Sequence, residues 1–285
     1  MWVQYVLNQK MGAIQRLFLL IVALPSLTAN AETDCRAAHL DEYADVSYVH
    51  DGDTVHLDDG RKLRLIGINT PELARHDRPE QAFAQAARDT LIKRLARHDN
   101  RVALVYGKER QDRHERTLVH LFSPDGDNLQ AHLLAQGLAT AIAHPPNLTY
   151  AECYARMEKA ARCRGSGIWS QPDDAVLQAT QLNAGSAGFH LVSGKIDRVK
   201  SSKKGVWLFM AGLMIGIYRE DLAHFDTAEL LSLTGKPLIV RGWLQPSRRT
   251  GSKNRSVGRS AVKFFVRIRH PDAIEINSAG LESGC

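Results

Sequence analysis

The chain has 285 residues, a length that predicts about two domains at roughly 100–200 residues each. With 44% hydrophobic and 24% charged residues it is neither disordered throughout nor a polytopic membrane protein, and four cysteines are too few for a disulfide-stapled miniprotein. The formal net charge of +6 suits a polyanionic partner but by itself selects no function.

Residues 10–31 place Lys10 and Arg16 ahead of the apolar run Leu17 to Leu24 and end in Ala29-Asn30-Ala31, the layout of a secretory signal cleaved after Ala31. The run breaks at Pro25, well short of the roughly 20 apolar residues that span a bilayer. The expected destination is the periplasm or the medium, with no integral membrane association after cleavage. In such an oxidising compartment Cys35, Cys153, Cys163 and Cys285 are expected to form disulfides. Cys153 and Cys163 fall in one predicted helix about 15 Å apart along its axis, too far to join each other. The expected bond therefore links Cys35 to one of them, Cys153 in preference.

Ser47 to His56 and Lys62 to Ile68 alternate apolar and polar residues around the turn Asp58-Asp59-Gly60, and predict strands. Pro79 opens a helical pattern over 79–98, with Phe83, Ala86, Ala87, Leu91 and Leu95 at helical spacing. Strands follow at Val102 to Tyr106 and Thr117 to Phe122, then helices near Leu129 to Gln136 and Thr149 to Arg162. That order suits a five-stranded barrel carrying helices. Residues 171–188 lose periodicity and gather Pro, Asp, Asn, Gly and Ser, so they read as a linker between a domain at 47–170 and another at 189–277.

Charge divides at the same place. Residues 32–186 carry 19 Lys and Arg against 23 Asp and Glu, while residues 187–277 carry 16 against 7. The second segment reads strand, strand, strand, helix, strand, strand, at His190 to Val199, Val206 to Phe209, Leu213 to Tyr218, Thr227 to Leu233, Leu238 to Leu244 and Val262 to Ile276. This is the order of a second, OB-like barrel that binds nucleic acid. Lys200, Lys203 and Lys204 fall in one of its loops, and Arg248, Arg249, Lys253 and Arg255 in another that has no acid from 246 to 259. Its aromatics, Trp207, Phe209, Trp243, Phe264 and Phe265, are expected mostly in the core.

Three short segments concentrate unusual residues: DGDTV at 51–55, RLIGINTPE at 64–72 and QDRHER at 111–116. An arginine six residues before TPE, with an apolar strand between, is the most specific of them. In order and spacing these segments resemble the staphylococcal-nuclease-like (thermonuclease) family over about residues 47–170. The fold class implied is mainly β with helices (α+β), an OB-type five-stranded barrel of the staphylococcal-nuclease kind followed by the second OB-like barrel. Phosphodiester hydrolysis needs a cation, a base for water, and fixed positive charge on the phosphate oxygens. The resemblance makes Asp53, Asn69 and the Thr70 carbonyl ligands of calcium, a hard ion that takes oxygen donors. It makes Glu72 the general base and gives Arg64 and Arg116 the phosphate, which suits a planar guanidinium fork. Asp112, Arg113 and His114 become substrate-binding residues beside Arg248, Arg249, Lys253 and Arg255.

The sequence departs from the family pattern in places. Asn69 stands where the family usually has Asp, Glu115 where it has Gly, and the stacking aromatics fall on His114, Ala143 and Pro145. The expected function is an exported, calcium-dependent endonuclease acting on single-stranded or duplex DNA and RNA to leave 3′-phosphate ends, with no protein partner implied. The alternative is a non-catalytic nucleic-acid-binding protein of two OB-type barrels. Arg64, Glu72 and Arg116 together argue against it, because a pure binder has no use for a carboxylate beside its phosphate grips.

Overall fold

The computed structural model describes residues 35–74, 79–171, 175–247 and 263–276. The expected signal segment, Cys285 and the basic residues Arg248, Arg249, Lys253 and Arg255 lie outside these. Alternating sequence builds strands β1 (Glu42–Asp51), β2 (Thr54–Leu57) and β3 (Lys62–Leu65), followed by the two-residue strand β4 (Ile68–Asn69). Helix α1 (Ala84–Leu95) then leads to β5 (Arg101–Gln111) and β6 (Thr117–Phe122). Five of the strands close a barrel in the order β1-β2-β3-β6-β5. All neighbours are antiparallel except β3 and β6. Inward residues such as Val55, Leu63, Leu65, Leu104 and Leu121 are fully buried, each contributing about 1.5–3 kcal/mol of transfer free energy.

Helix α1 lays Ala84, Ala87, Leu91 and Leu95 on the barrel. It starts later than the expected Pro79, because Phe83 holds φ 67, in the left-handed region, and interrupts the helical run. The preceding residues answer to a tertiary partner instead: the Gln81 N–H donates to the Glu72 carbonyl at 2.9 Å. Helix α2 (Leu129–Ala135) begins at Asn128, whose side chain accepts from the Ala131 N–H, a cap worth about 1 kcal/mol. Strand β7 (Thr140–Ala141) pairs with β4, and helix α3 (Ala151–Cys163) completes the helical layer. Cys35 is bonded to Cys153 across 118 residues with Cα atoms 5.8 Å apart. A loop of that length stabilises by about 4–5 kcal/mol on the chain-entropy account. Cys163 is disulfide-bonded too.

Within 171–188, strand β8 (Val176–Gln178) runs parallel to β9 (Gly188–Lys195). The chain continues through β10 (Arg198–Ser202), β11 (Gly205–Met210), β12 (Leu213–Tyr218), helix α4 (Thr227–Leu231), β13 (Pro237–Pro246), β14 (Phe264–Arg267) and β15 (Ile274–Ile276). These strands form one sheet in the order β10-β11-β12-β14-β13-β9-β8, with β15 added on β13. The segment expected as one strand to Ile276 is broken: Pro271 opens a tight turn, and β15 folds back onto β13. Of the aromatics expected in this core only Phe264 is buried. Strand alternation turns Phe264 inward and Phe265 outward, and the same period places Trp207, Phe209 and Trp243 on the outer side.

The two regions share a buried contact. Ala161 and Trp169 cluster with Val176, Leu191 and Ile239. Arg241 of β13 donates to Glu158 of α3 at 2.7 Å and to the Ala141 carbonyl at 3.0 Å, and pairs with Glu275. Arg162 reaches both Glu275 oxygens at 2.9 Å. Burial alone would lower the Arg241 pKa, but Glu158 and Glu275 more than offset it and hold the guanidinium charged. Among the described residues no helix is long and apolar enough to cross a membrane.

Candidate active site

The candidate site lies where the β1–β2 turn meets the loop after β3. Asp51 ends β1, and its Oδ1 accepts the Asp53 N–H at 3.1 Å, closing a tight turn. Gly52 is required between them. A Cβ there would lie 2.7 Å from Thr70 Cγ2 and 2.8 Å from Ala87 Cβ, so only glycine lets the turn touch both the Thr70 segment and α1. Asp51 and Asp53 are both buried. Asp53 Oδ1 accepts from Thr54 Oγ1 at 3.1 Å, and its Oδ2 accepts the Thr70 N–H at 2.9 Å and lies 3.1 Å from Arg64 Nη2. Burial, then the neighbouring Asp53 charge, pushes the Asp51 carboxyl up to about 7, with a smaller push from Glu72.

Arg64 rises from β3 and folds over the loop that follows. Its Nη2 donates to the Ile68 carbonyl at 2.9 Å and its Nη1 to that of Leu65. Asn69, on β4, turns its Nδ2 to the Thr70 carbonyl at 3.2 Å. Glu72 is exposed at the rim, and its backbone is held by a reciprocal bond with Gln81, whose Oε1 accepts the Glu72 N–H at 2.7 Å.

Arg116 enters from the loop between β5 and β6. Asp112 organises that loop: Oδ1 accepts the N–H groups of His114 at 2.8 Å and Arg116 at 3.0 Å, and Oδ2 takes Arg116 Nε at 2.8 Å. Glu115 does adopt φ 61, a conformation that costs a non-glycine residue about 1–2 kcal/mol. Arg113 and His114 are exposed at the tip, with Arg113 Nε 3.1 Å from His114 Nε2. Arg64 pairs with Leu118 on β6, and Arg116 immediately precedes that strand.

Asp53, Asn69 and the Thr70 carbonyl offer carboxylate, amide and carbonyl oxygens, types chemically suited to a hard divalent cation, with Asn69 Nδ2 bonded to the Thr70 carbonyl here. Among the described residues no three His, Cys, Asp or Glu side chains converge on a metal position. Of the positions aligned with stacking aromatics, Ala143 is half-buried and Pro145 buried, leaving His114 as the exposed one.

Residues 62–171 match the staphylococcal nuclease homologue family. The chain is 35% identical over 129 residues to the thermonuclease of Staphylococcus intermedius, covering 44% of this chain and 75% of that protein. The chain belongs to the staphylococcal nuclease family. A second thermonuclease, from Staphylococcus hyicus, is 34% identical over 125 residues, covering 43% and 72% of the two chains. A probable endonuclease LCL3 of Phaeosphaeria nodorum is 30% identical over 120 residues, covering 39% of this chain and 38% of that one. The protein is a nuclease, a hydrolase of phosphodiester bonds, and the reading as a non-catalytic binding protein gives way to these relatives.

The sequence assigns Asp53 to the candidate site and leaves Asp51 unassigned, whereas the structure buries the two together. The Asp-Gly-Asp spacing at 51–53 was the available signal. Gln81 was missed because it meets Glu72 only through the fold. Nothing in its local sequence marks it.

Proposed function

We propose that this nuclease is an exported, calcium-dependent endonuclease that cleaves DNA, RNA or both to 3′-phosphate ends. One observation carries the reading: a guanidinium suited to gripping phosphate, Arg64, lies 3.1 Å from a carboxylate, Asp53, that is buried beside a second one, Asp51. Two buried acids repel a phosphate unless a cation bridges them, so the pair makes sense in a metal-assisted site and not in a passive grip. Asp53, Asn69 and the Thr70 carbonyl are assigned to calcium, with Asp51 beside them. An ion held there would supply Lewis acidity to a phosphate oxygen.

The chain's own residues account for the remainder. Glu72 accepts a proton from water as the water oxygen bonds to phosphorus and the bond to O5′ breaks, leaving a 3′-phosphate and a 5′-hydroxyl. Arg64 and Arg116 hydrogen-bond the non-bridging oxygens, where negative charge grows, and Arg116 also supports the departing O5′, which takes its proton from solvent. Asp112 holds Arg116 in place, while Arg113 and His114 meet the substrate strand. The nuclease domain is taken as 47–170, with 171–188 a linker and 189–277 an OB-like domain that holds nucleic acid, aided by Arg248, Arg249, Lys253 and Arg255. Export rests on the signal-like segment at 1–31 and is supported by the Cys35–Cys153 bond, which suits the periplasm or the medium.

The test is nicking of single-stranded and duplex DNA and of RNA, with calcium and with a chelator. Cleavage that requires calcium and leaves ends extendable only after phosphatase treatment is expected. Full activity in chelator would remove the metal, and directly extendable ends would reverse the assigned bond.

A further inference from the structure

The outer face of the C-terminal sheet is ordered in cross-strand rows. Directly paired residues project from the same side of a sheet, so the registers give each row. One row pairs Phe189 with Trp243, then Arg267 with Gly216, Gly216 with Trp207 and Trp207 with Lys200. Trp243 and Arg267 come opposite each other when the Gln245–Phe265 register is extended by two residues. The next row runs Gln245, Phe265, Met214, Phe209 and Arg198. Alternate residues of the same strands, among them Leu208, Ile215, Leu244 and Val266, form the core, which fixes these rows as the outer ones. Neither row contains a carboxylate.

The face is also built flat. A Cβ on Gly216 would come within 2.6 Å of the Phe265 ring and 2.7 Å of the Trp207 ring, so glycine lets both rings lie against the backbone. Arg198 stands 4.1 Å from the Phe209 ring centre, and its Nε is buried without a hydrogen-bond partner. Arg267 stands over Tyr218 and is paired with Asp221 and Glu220. Trp243 is 45% exposed. At its β14 end the face continues to Arg269, whose Nη1 lies 3.0 Å from His144 Nε2. His144 follows β7, the strand paired with Asn69. The face therefore runs up to the nuclease domain beside β7.

We propose that this face is a stacking track for the unpaired bases of a single-stranded polynucleotide, with Trp243 and Trp207 as platforms and Arg198 and Lys200 as phosphate contacts. The proposal rests on the nuclease reading and adds to it a substrate class and a place of binding. Rings interleaved with cations match a strand that alternates bases and phosphates. A duplex hides its base faces and a plain polyanion has none, so neither uses the rings.

The test measures binding of the full chain to labelled oligothymidylate, to a duplex of equal length and to dextran sulfate, in chelator so that nothing is cleaved. Trp243→Ala and Trp207→Ala should each weaken single-strand binding about fivefold or more. They should leave duplex and dextran sulfate binding, and the cleavage of a dinucleotide diester in calcium, nearly unchanged. Trp243→Phe should retain most of the affinity. Equal weakening on dextran sulfate, or no weakening on the single strand, overturns the track. Absence of cleavage by the unaltered protein would sink the nuclease reading alone, since the binding series stands apart from it. Should an alanine variant misfold by circular dichroism, the Arg198→Gln and Lys200→Gln pair decides. It should reduce the log-log salt slope by about 1.4, at roughly 0.7 per phosphate contact on a single strand, and an unchanged slope overturns the proposal.

Discussion

The first barrel and the C-terminal sheet share one pairing cycle and use it differently. In the barrel, β1 pairs with β2 and β5, and β3 runs parallel to β6. In the sheet, β9 and β10, separated only by Ile196 and Asp197, pair with β13 and β11, and β12 runs parallel to β14. The barrel draws its polar residues into one end: the β1–β2 turn carries Asp51 and Asp53 inward against Thr70 and α1. The corresponding turn of the sheet, after β10, carries Lys203 and Lys204 outward, and its aromatics spread over a face. Topology positions these groups without choosing among them. Chemistry follows from which side chains the turns and faces present.

The sharpest way to break the comparison is at the barrel's site. Glu72→Gln should leave folding intact and lower turnover by about 10² or more, and Arg64→Lys and Arg116→Lys should be comparably severe although charge is retained, because the bidentate fork is lost. Steady-state rates with melting curves decide, and a lysine variant that cleaves normally removes that arginine from the phosphate.

Comparable in size is the contact between the regions. Arg241→Ala leaves Glu158 buried without its partner, at an expected cost of about 3–5 kcal/mol. Arg241→Leu combined with Glu158→Leu should recover much of that loss. Denaturant titration of the single and double variants measures it. A neutral single variant would make the two regions independent units, contrary to the shared cluster around Trp169 and Ile239.

Asn69→Asp sharpens the barrel side. Adding a ligand charge should tighten calcium binding on the order of tenfold, equivalent to about 1.4 kcal/mol. Calorimetry on the pair reads this, and weaker binding would place the Asn69 side chain away from the ion.

A last effect, of similar size and set by pH, concerns the barrel's core. Burial holds His120 neutral, its pKa lowered from 6.5 to about 3. Below the unfolded value the unfolded chain binds the extra proton, so stability declines as the pH falls from 6.5 toward 3. At 1.36 kcal/mol per pH unit the loss approaches about 2 kcal/mol by pH 5. His120→Gln should lose less stability than the unaltered chain between pH 7 and 5. Parallel melting curves would refute the assignment.

The candidate residues could be named from the sequence because their signals are local. An acidic glycine turn, an arginine on a strand and a proline-fixed glutamate stand in short segments whose spacing constrains geometry before any tertiary contact forms. The strands of both regions were legible for a similar reason, since burial on one face imposes a period of two. Where the sequence misled, a distant partner had outweighed a local preference. Gln81 binds Glu72 and the helix waits until Ala84; Pro271 turns the last strand back onto β13.

By itself the sequence determined the family, the order of strands and helices, the charge contrast between the regions and the residue types available for phosphodiester chemistry. Only the tertiary structure decided that Asp51 is buried with Asp53, that Arg64 reaches Asp53, that Cys35 meets Cys153, and that Trp207, Phe209 and Phe265 lie outside the core. It also decided that Arg241 joins the regions through Glu158 and the Ala141 carbonyl. Each of these depends on residues far apart in the chain, or on which face of a strand becomes the inner one. Alternation shows that two faces differ, and packing against the remaining strands selects the one that is buried.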